Sequence, residues 1–431
     1  MFEVAGRRTS PRRGALFFFL GGLVAAWAGL ANPAAASGLT TLYSYCGQSD
    51  CSDGSQPEAT MIVDSAGNLY GTTFYGGAGY GTLFKQRGHR APTVLHSFCA
   101  ACADGTNPIG SLIMDVNGHL YGTASGGGAH GGGTIFELVP NAKRTKWRIG
   151  RLYGFCSLDG CADGSHPAAG LTYKGAETGA LYDGKSPLYG TTSSGGLHSS
   201  GAVFRVVPGD HLRFNVKVLY NFCSQNNCTD GYEPRAALLT DEAGNLYGTT
   251  RAGGTAGFGV VFELKAKKRG FVPVLLHSFA VSGDGAYPNS ALTWDGSGNL
   301  LGTTEGGGSK GSGAVFRVMP NGSNSLESLL YSFCQRKNCI DGDQPWGGVV
   351  VGANGNLFGL TRNGGGQGNG TAYRLSGSGE SVVYSFCTLE SCNDGAHPEA
   401  GLVSDGAGGF FGTTTQGGIH GGGGTIFSLN P

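Results

Sequence analysis

The feature that most constrains this chain is a unit that recurs seven times along its length. Every unit contains an Asp-Gly, which follows a run ending in an aromatic residue, such as LYSF at 330–333, and precedes a proline. The aspartates recur every 51 to 67 residues, at Asp53, Asp104, Asp163, Asp230, Asp284, Asp341 and Asp394. Repeats of this length are typical of solenoids and propellers, in which one supersecondary unit is copied many times.

Each unit offers four short apolar runs, which we label a to d. In the first complete unit they are ATMIVD (59–64), GNLYGTT (67–73), GTLF (81–84) and LHSF (95–98). Their length, their aromatic and β-branched content and their flanking Gly, Asn and Asp predict strands, and none has the periodicity of a helix. Seven units of four strands predict an all-β fold, a seven-bladed β-propeller with four-stranded blades.

The two ends of the repeat region predict that the ring is closed. The first run, 39–45, is a d strand, and the last run, 425–429, is a c strand. The N-terminal d strand can therefore complete the blade whose a, b and c strands come from the C-terminal end, and this pairing removes an open sheet edge. We predict a single propeller domain over residues 37–431.

Residues that recur in every copy are expected to serve the blade, because a single active site needs each residue only once. The Asp of Asp-Gly fits a tight turn, in which it accepts bonds from backbone N–H groups while the Gly takes a positive φ. The proline favours an extended start for strand a. The Gly inside LYGTT suggests a close backbone approach between packed blades. Aromatic residues in strands b, c and d are expected to fill the space between blades.

Composition excludes several other classes of protein. Glycine accounts for 82 of 431 residues without a three-residue period, which excludes collagen. Hydrophobic residues make up 39% and recur in clusters, so a core can form and disorder is disfavoured. The 29 basic residues are balanced by 29 acidic ones. This balance provides no electrostatic footprint for nucleic acid or for an anionic membrane.

Residues 1–36 predict an export signal. Four arginines precede a 16-residue apolar stretch, Ala15 to Leu30, and Ala34-Ala35-Ala36 offers a cleavage site. The alternative is an uncleaved anchor, but a membrane span needs about 20 residues. We therefore expect a protein that is secreted, or held in the periplasm or at the cell surface, without membrane insertion after cleavage of the signal peptide.

The cysteines form six local pairs, each between strand d and the Asp-Gly. They are Cys46/Cys51, Cys99/Cys102, Cys156/Cys161, Cys223/Cys228, Cys334/Cys339 and Cys387/Cys392. The fifth unit lacks both members in 279–284, and paired loss is what a bridge within each unit predicts. An exported protein favours disulfides. The alternatives are a redox CxxC at 99–102 and a metal site, although the Cys-x4-Cys spacing lacks partners at zinc spacing.

Function is sought where the units differ, in the d–a and b–c loops that open on one face of a propeller. The position before the repeated proline varies, and so does the position two residues beyond the Gly-Gly. These positions supply ten candidate ligand-binding residues: His130, His166, His198, Glu233, Tyr287, Lys310, Gln344, Gln367, His397 and His420. The alternative is that these are exposed loop positions that tolerate any polar side chain.

A ring of imidazoles, amides, an acid and a tyrosine would suit a polar ligand such as a carbohydrate, and it could also hold a metal or a general base. No calcium-loop, GxSxG, HExxH or P-loop motif occurs. We therefore expect a monomeric binding module without a cofactor, for a polysaccharide or a cell-surface protein. One alternative is a lyase or glycoside-cleaving enzyme that uses His166, His198, His397 or His420 with Glu233. A structural surface component is another.

The pattern P…L…D…GNLYGTT…GG…GTxF…LYSF resembles the GloVer tandem repeat of exported bacterial proteins, over nearly all of residues 39–430. Such proteins are often termed choice-of-anchor proteins, because a sorting signal follows the repeats. The resemblance implies a surface or secreted bacterial protein with propeller-like repeats, and it implies no activity. We expect no anchor after these repeats, and this expectation leaves both secretion and retention through an uncleaved N-terminal segment open.

Overall fold

The computed structural model describes residues 38–209, 213–280, 283–321 and 326–431. The predicted export signal, residues 1–36, lies outside the described residues. The described chain is all-β, and its strands form seven antiparallel sheets that are the blades of a propeller, as the repeat predicted. Among these residues, no helix has the length and apolar character needed to cross a membrane.

The strands are short, and strand a has only two residues in every blade. The first thirteen are β1 (Gly38–Ser44), β2 (Ile62–Val63), β3 (Leu69–Thr73), β4 (Thr82–Gln86), β5 (Thr93–Ser97), β6 (Ile113–Met114), β7 (Leu120–Ala124), β8 (Thr134–Pro140), β9 (Trp147–Gly154), β10 (Thr172–Tyr173), β11 (Leu188–Thr192), β12 (Ala202–Pro208) and β13 (Phe214–Asn221). The others are β14 (Leu239–Thr240), β15 (Leu246–Thr250), β16 (Val260–Ala266), β17 (Phe271–Ser278), β18 (Gly285–Pro288), β19 (Thr293–Trp294), β20 (Leu300–Gly307), β21 (Ala314–Met319), β22 (Leu326–Ser332), β23 (Val350–Val351), β24 (Leu357–Thr361), β25 (Thr371–Ser376), β26 (Gly379–Ser385), β27 (Val403–Ser404), β28 (Phe410–Thr414) and β29 (Thr425–Asn430). Short 3-10 turns lie at Ser49–Cys51, Asp159–Cys161, Ala176–Thr178, Asn226–Cys228, Lys337–Cys339 and Glu390–Cys392.

Each blade follows the order a, b, c, d across its sheet. Blades one to four are β2–β5, β6–β9, β10–β13 and β14–β17, blade five is β18–β22, and blade six is β23–β26. Blade seven has the order β27, β28, β29, β1. Strand β1 pairs antiparallel with β29 from Gly38 opposite Asn430 to Ser44 opposite Thr425. The predicted closure of the ring by the N-terminal strand is confirmed.

Aromatic residues occupy the space between blades, as predicted. Phe98 at the end of strand d in blade one lies with its ring centroid 5.4 Å from that of Phe136 on strand c of blade two, and both rings are fully buried. Phe155 and Phe204 repeat this contact between blades two and three at 5.1 Å. Such pairs contribute about 1 kcal/mol each beyond their burial, so the same interaction stabilises successive blade interfaces.

The Gly inside LYGTT serves a different purpose from the one predicted. A Cβ atom on Gly71 would lie 2.7 Å from Cζ of Phe84, its partner on strand c of the same blade. Gly190 stands in the same relation to Phe204, at 2.5 Å. The close approach is therefore made by an aromatic ring of the same blade. The expectation of a close backbone approach from the neighbouring blade was wrong.

The cysteines form the six predicted disulfides within the d–a loops. The repeated Asp organises each loop. In the first, Asp53 accepts a hydrogen bond of 2.7 Å from the Tyr43 hydroxyl and one of 3.1 Å from the Gly47 N–H. Gly54 follows at a φ of 107°. These contacts confirm the predicted turn, in which the Asp binds backbone N–H groups and the Gly takes a positive φ.

Blade five departs from the other blades at its start. Its d–a loop carries no cysteine, and the chain after Asp284 forms the additional strand β18, which pairs with an extended β20 from Gly285 opposite Gly307. In blade one the corresponding contact is a single bridge between Ser55 and Tyr75. Blade five therefore contains five strands where the repeat predicted four.

Candidate functional site

All seven blades contribute to one cavity of about 690 Å³ on the propeller axis. Its wall is built largely from the three residues that follow each repeated proline. These are residues 58–60, 109–111, 168–170, 235–237, 289–291, 346–348 and 399–401. Because strand a is the innermost strand of each blade, these positions line the axis wherever the unit is repeated.

The second and third positions after the proline are small because neighbouring blades approach closely here. A Cβ atom on Gly347 would lie 2.4 Å from the carbonyl oxygen of Ala400 in the next blade. A threonine of strand b also links the blades, since the Thr303 hydroxyl donates a 3.0 Å hydrogen bond to the Gly347 carbonyl. The Thr123 hydroxyl makes the same bond to Ala169, at 2.8 Å. The part of the cavity wall formed by these small residues is therefore close-packed and stabilised by hydrogen bonds between blades.

The side chain at the first position after the proline varies from blade to blade, and six residue types occur among the seven blades. Its seven occupants are Glu58, Ile109, Ala168, Arg235, Asn289, Trp346 and Glu399. The surrounding proline and small residues recur in each blade, so the backbone is the same while the side chains differ. At this position the cavity therefore has an apolar side, in blades two and three, while its charged side chains come from blades one, four and seven.

The position before the proline combines a fixed backbone with a variable side chain. All seven residues there have a positive φ, between 53° and 61°. Hydrogen bonds hold this backbone on both sides: the His166 N–H donates to the Gly132 carbonyl of the preceding blade at 2.8 Å, and its carbonyl accepts from Ser193 N–H at 3.0 Å. Glycine would adopt this φ at the lowest cost, yet none of the seven is glycine. Because this conformation recurs in every blade, it belongs to the repeated backbone, which fixes the direction from which each variable side chain leaves it.

One cluster of charged side chains lies at the rim of the cavity, on blades four and five. The Arg235 guanidinium donates a hydrogen bond to Glu233, and Arg251 lies 3.9 Å from the other oxygen of the same carboxylate. Arg251 also pairs with Glu305 at 3.3 Å and lies over the ring of Tyr287, 5.3 Å from its centroid. Glu233 is therefore engaged by two cations, and this favours a fixed acceptor over a free general base.

A second cluster of charged side chains lies where blades six, seven and one meet. Arg362 Nε donates a 2.6 Å hydrogen bond to Glu399, and its guanidinium lies 5.2 Å from the centroid of the Trp346 ring. Glu58 lies beside this pair. Burial and the neighbouring Glu399 carboxylate raise the pKa of Glu58 to about 7, although Arg362 acts in the opposite direction. At neutral pH, Glu58 can therefore both donate and accept a hydrogen bond.

The ten residues predicted from the sequence fall into two sets. His166 and Glu233 line the cavity, while three others lie on its rim: Tyr287 lies beneath Arg251, Gln344 accepts a 2.7 Å bond from Asn363, and His397 Nδ1 lies 3.1 Å from the Arg362 carbonyl oxygen. The other five side chains are exposed at the tips of b–c loops: His130, His198, Lys310, Gln367 and His420.

These b–c tips turn toward the outer strand d, which explains the separation of the two sets. In blade three the Leu197 N–H donates a 2.9 Å hydrogen bond to the Asn221 side chain at the end of strand d. In blade seven a Cβ atom on Gly47 would lie 3.1 Å from His420 Nε2. The repeat pattern placed both positions on one face, but the direction of the tip depends on contacts with strand d that the pattern does not contain.

Sequence reasoning missed the five polar or aromatic residues at the first position after the proline and one of their neighbours. These are Glu58, Arg235, Asn289, Trp346, Glu399 and the neighbour Arg362. A signal for the first five was present, because they occupy a position that varies between a repeated proline and small residues. The pairing of Arg362 with Glu399 had no such signal, since it joins two different blades.

The closed ring of seven blades around a polar axial cavity defines the chain as a β-propeller. It belongs to the Gloeobacter/Verrucomicrobia repeat family, whose model matches residues 31–186 and 175–339. This membership confirms the resemblance drawn from the repeated motifs.

Solved structures are similar in fold at low sequence identity. One is the extracellular domain of a proposed one-component system from B. thetaiotaomicron, with a TM-score of 0.52 and 13% identity. The match covers 92% of this chain and 42% of that chain, so the protein spans less than half the length of this relative. Another is a proposed 6-phosphogluconolactonase from Bacteroides uniformis, with a TM-score of 0.48, 12% identity and coverage of 80% and 88%. The first likeness shows the propeller fold alone. No curated protein matches the sequence.

Proposed function

We propose that the protein is an extracytoplasmic binding module that takes a polar, carbohydrate-like ligand at the mouth of its axial cavity. The observation that carries the proposal is the cavity wall itself: the seven blades present the same backbone but different side chains to one space of about 690 Å³. A cavity of this size, with a few fixed polar groups, is typical of a small-ligand site.

The chemistry of the charged side suits hydroxyl groups in particular. The paired Glu399 and Arg362 present a planar acceptor and donor that already hold each other in place at 2.6 Å. Trp346 adds an apolar surface beside them, and Glu58 adds a carboxyl group that can donate as well as accept. A polyol needs alternating donors and acceptors next to an apolar surface, and these side chains provide both.

Export is part of the proposal and rests on the disulfides. Six local bridges are typical of a protein in an oxidising compartment. The predicted signal in residues 1–36 is consistent with this location, and so is the tandem repeat of the family. We propose that the exported chain acts as a monomer, because one chain closes the ring and leaves no strand edge at the junction.

The test is binding of the exported, disulfide-intact protein to a broad glycan and polysaccharide array. We expect specific binding that falls at least tenfold in Trp346→Ala and in Glu399→Gln, because both side chains face the cavity. The double variant His198→Ala/His420→Ala is the matched control, since these exposed side chains belong to the loop tips. It should bind as the wild type does. Equal binding by all variants, or none by the folded wild type, would reject a carbohydrate site in the cavity.

A protein partner is the second candidate, because large apolar side chains are exposed on the loops of the same face. Leu158 and Leu389 in d–a loops are 58% and 56% exposed, and Leu197 and Ile419 in b–c loops are 70% and 64% exposed. Exposed apolar residues grouped at loop tips favour association with another protein. Loss of partner capture in Leu197→Ser/Ile419→Ser, with array binding absent, would favour this second function.

A further inference from the structure

We propose a binding site for a divalent transition-metal cation, of the Zn²⁺ class, at the outer edge of blades four and five, formed by His277, Asp284 and Glu327. The three residues come from strand β17, the d–a loop and strand β22. One ligand atom from each of them lies within 4.8 Å of the other two. This site is remote from the axial cavity and independent of the function proposed for it.

The geometry already brings two ligand atoms together. His277 Nε2 lies 3.0 Å from Asp284 Oδ2. Two ligand atoms bound to one tetrahedral zinc lie about 3.4 Å apart, because each bond is about 2.1 Å long. The His277 ring packs edge-on against Phe279 at 4.7 Å, and Asp284 accepts a 3.0 Å hydrogen bond from the Ala280 N–H. These contacts fix the orientation of both side chains, as supporting groups do around bound metals.

Glu327 supplies the third ligand atom. Its Oε1 atom is buried without a hydrogen-bond partner. The carboxylate of Asp284 and the ring of His277 lie beside it, and a positive charge among these groups would stabilise two neighbouring carboxylates. A divalent cation provides that charge and accepts Oε1 as a ligand.

In blade six an arginine lies beside the same position. Glu380 occupies the place of Glu327, since Glu380 pairs with Leu375 on strand c and Glu327 pairs with Val318. It lies 3.2 Å from Arg336, a residue of the disulfide-bonded d–a loop. The loop of blade five lacks both cysteines, and it offers no arginine among its described residues.

The start of blade two has the His–Asp pair but lacks the third carboxylate. His96 and Asp104 repeat the His–Asp contact of blade five. The position of Glu327 is occupied there by Ile149, which pairs with Leu138 on strand c. This loop keeps its disulfide, Cys99–Cys102. The His–Asp pair therefore occurs with a covalent bridge where the third ligand is absent, and without one where the third ligand is present. A bound cation would join the loop of blade five in place of the missing disulfide.

The test uses zinc chloride and the exported protein after removal of metal by chelation. Isothermal titration should show one Zn²⁺ per chain at micromolar or lower Kd, and zinc should raise the unfolding midpoint. His277→Tyr should weaken binding at least tenfold. This variant should fold, because five loops of the chain use a tyrosine at this place, as Tyr331 does in its 2.8 Å bond to Asp341. Glu327→Gln should weaken binding to a similar degree and keeps the side-chain shape.

His96→Tyr is the matched control, because it makes the same change at the pair that lacks a third ligand. It should bind one Zn²⁺ with unchanged affinity. Cobalt substitution adds a second readout, since absorption bands of a four-coordinate site should appear in the wild type and be lost in His277→Tyr. The proposal is overturned if the wild type binds no zinc, if His277→Tyr and Glu327→Gln bind as the wild type does, or if His96→Tyr loses binding to the same extent.

Discussion

At the scale of single residues, the positions around the repeated proline combine a backbone that is fixed in every blade with side chains that vary. The backbone before the proline is fixed by hydrogen bonds on both sides, as at His166, and the proline itself is buried in every blade. The side chains on either side of it are free to differ. Seven copies of one backbone therefore present fourteen variable positions to the axis and its rim, and Glu58 and Glu399 show that charge can be concentrated on one side.

Glu58 gives a prediction about pH. Its pKa is about 7 in the folded chain because of burial and Glu399, against about 4.5 for an ordinary glutamate. The folded state therefore binds more protons than the unfolded state between these values, so the free energy of unfolding should fall as the pH rises from 5 to 8. We expect Glu58→Gln to reduce this slope and to be more stable than the wild type at pH 8, measured by thermal unfolding.

The control for this prediction is Glu242→Gln, a change at an exposed glutamate in an a–b turn. It should leave the slope unchanged. Glu327 and Glu380 also have a pKa raised to about 7 by burial, so part of the slope should remain in Glu58→Gln. An identical slope in the wild type and in Glu58→Gln would contradict the burial of this carboxyl group.

At the scale of strands, each blade packs an aromatic ring of strand c against a glycine of strand b. Strand b supplies the space at Gly71 and strand c supplies the ring of Phe84, which pairs with it. The ring then packs against Tyr45, at 5.7 Å, from strand d of blade seven. One pair of residues therefore shapes the blade and its interface at once.

We predict that Gly71→Ala lowers the free energy of unfolding by about 2 kcal/mol, because the added methyl group would lie 2.7 Å from Phe84 Cζ. Phe84→Leu alone should cost about 1–2 kcal/mol, since it removes buried apolar surface. The double variant should lose less than the sum of the two, because the smaller side chain relieves the overlap. Denaturant unfolding of the four proteins checks this, and strict additivity would contradict the contact.

The strands were predictable from the sequence because the same residues recur at the same places. LYGTT, GTxF and the d runs each gave one strand in every blade, and the paired absence of cysteines in 279–284 correctly predicted bridges within units. The additional strand β18 was not predictable. It depends on an extension of β20 to Gly307, and no repeated residue signals such an extension.

At the scale of the whole molecule, closure brings together residues from opposite ends of the chain. Glu58 belongs to the first blade and Glu399 to the last, yet the Glu399 carboxylate helps to raise the pKa of Glu58. The Thr413 hydroxyl likewise donates a 3.1 Å hydrogen bond to the Pro57 carbonyl. Sequence reasoning predicted the ring but not this part of the site, because no local pattern records which side chains meet at the junction.

Removal of β1 tests the closure directly. Deletion of residues 38–44 should leave β29 with an unpaired edge, so we expect self-association and an unfolding midpoint about 10 °C lower. A chain that begins at Ser37 is the control and should remain monomeric. Gel filtration and thermal unfolding report both effects. A synthetic peptide of residues 38–45 should restore the monomer, and a deleted chain that stays monomeric and equally stable would contradict a closing role for β1.

The pairing of β1 with β29 also fixes an order of events in time. Synthesis makes β1 before the other described strands and β29 after them, so β1 stays without its partner until all seven blades have been made. The disulfides face no such delay, because their cysteines are only 3 to 5 residues apart. Each loop can therefore be oxidised as soon as it reaches an oxidising compartment, whereas the last blade must wait for a contact between strands that are far apart in the sequence, which is slow to form. The disulfides of the individual loops can thus form early in folding, and the pairing of β1 with β29 closes the ring in a late step.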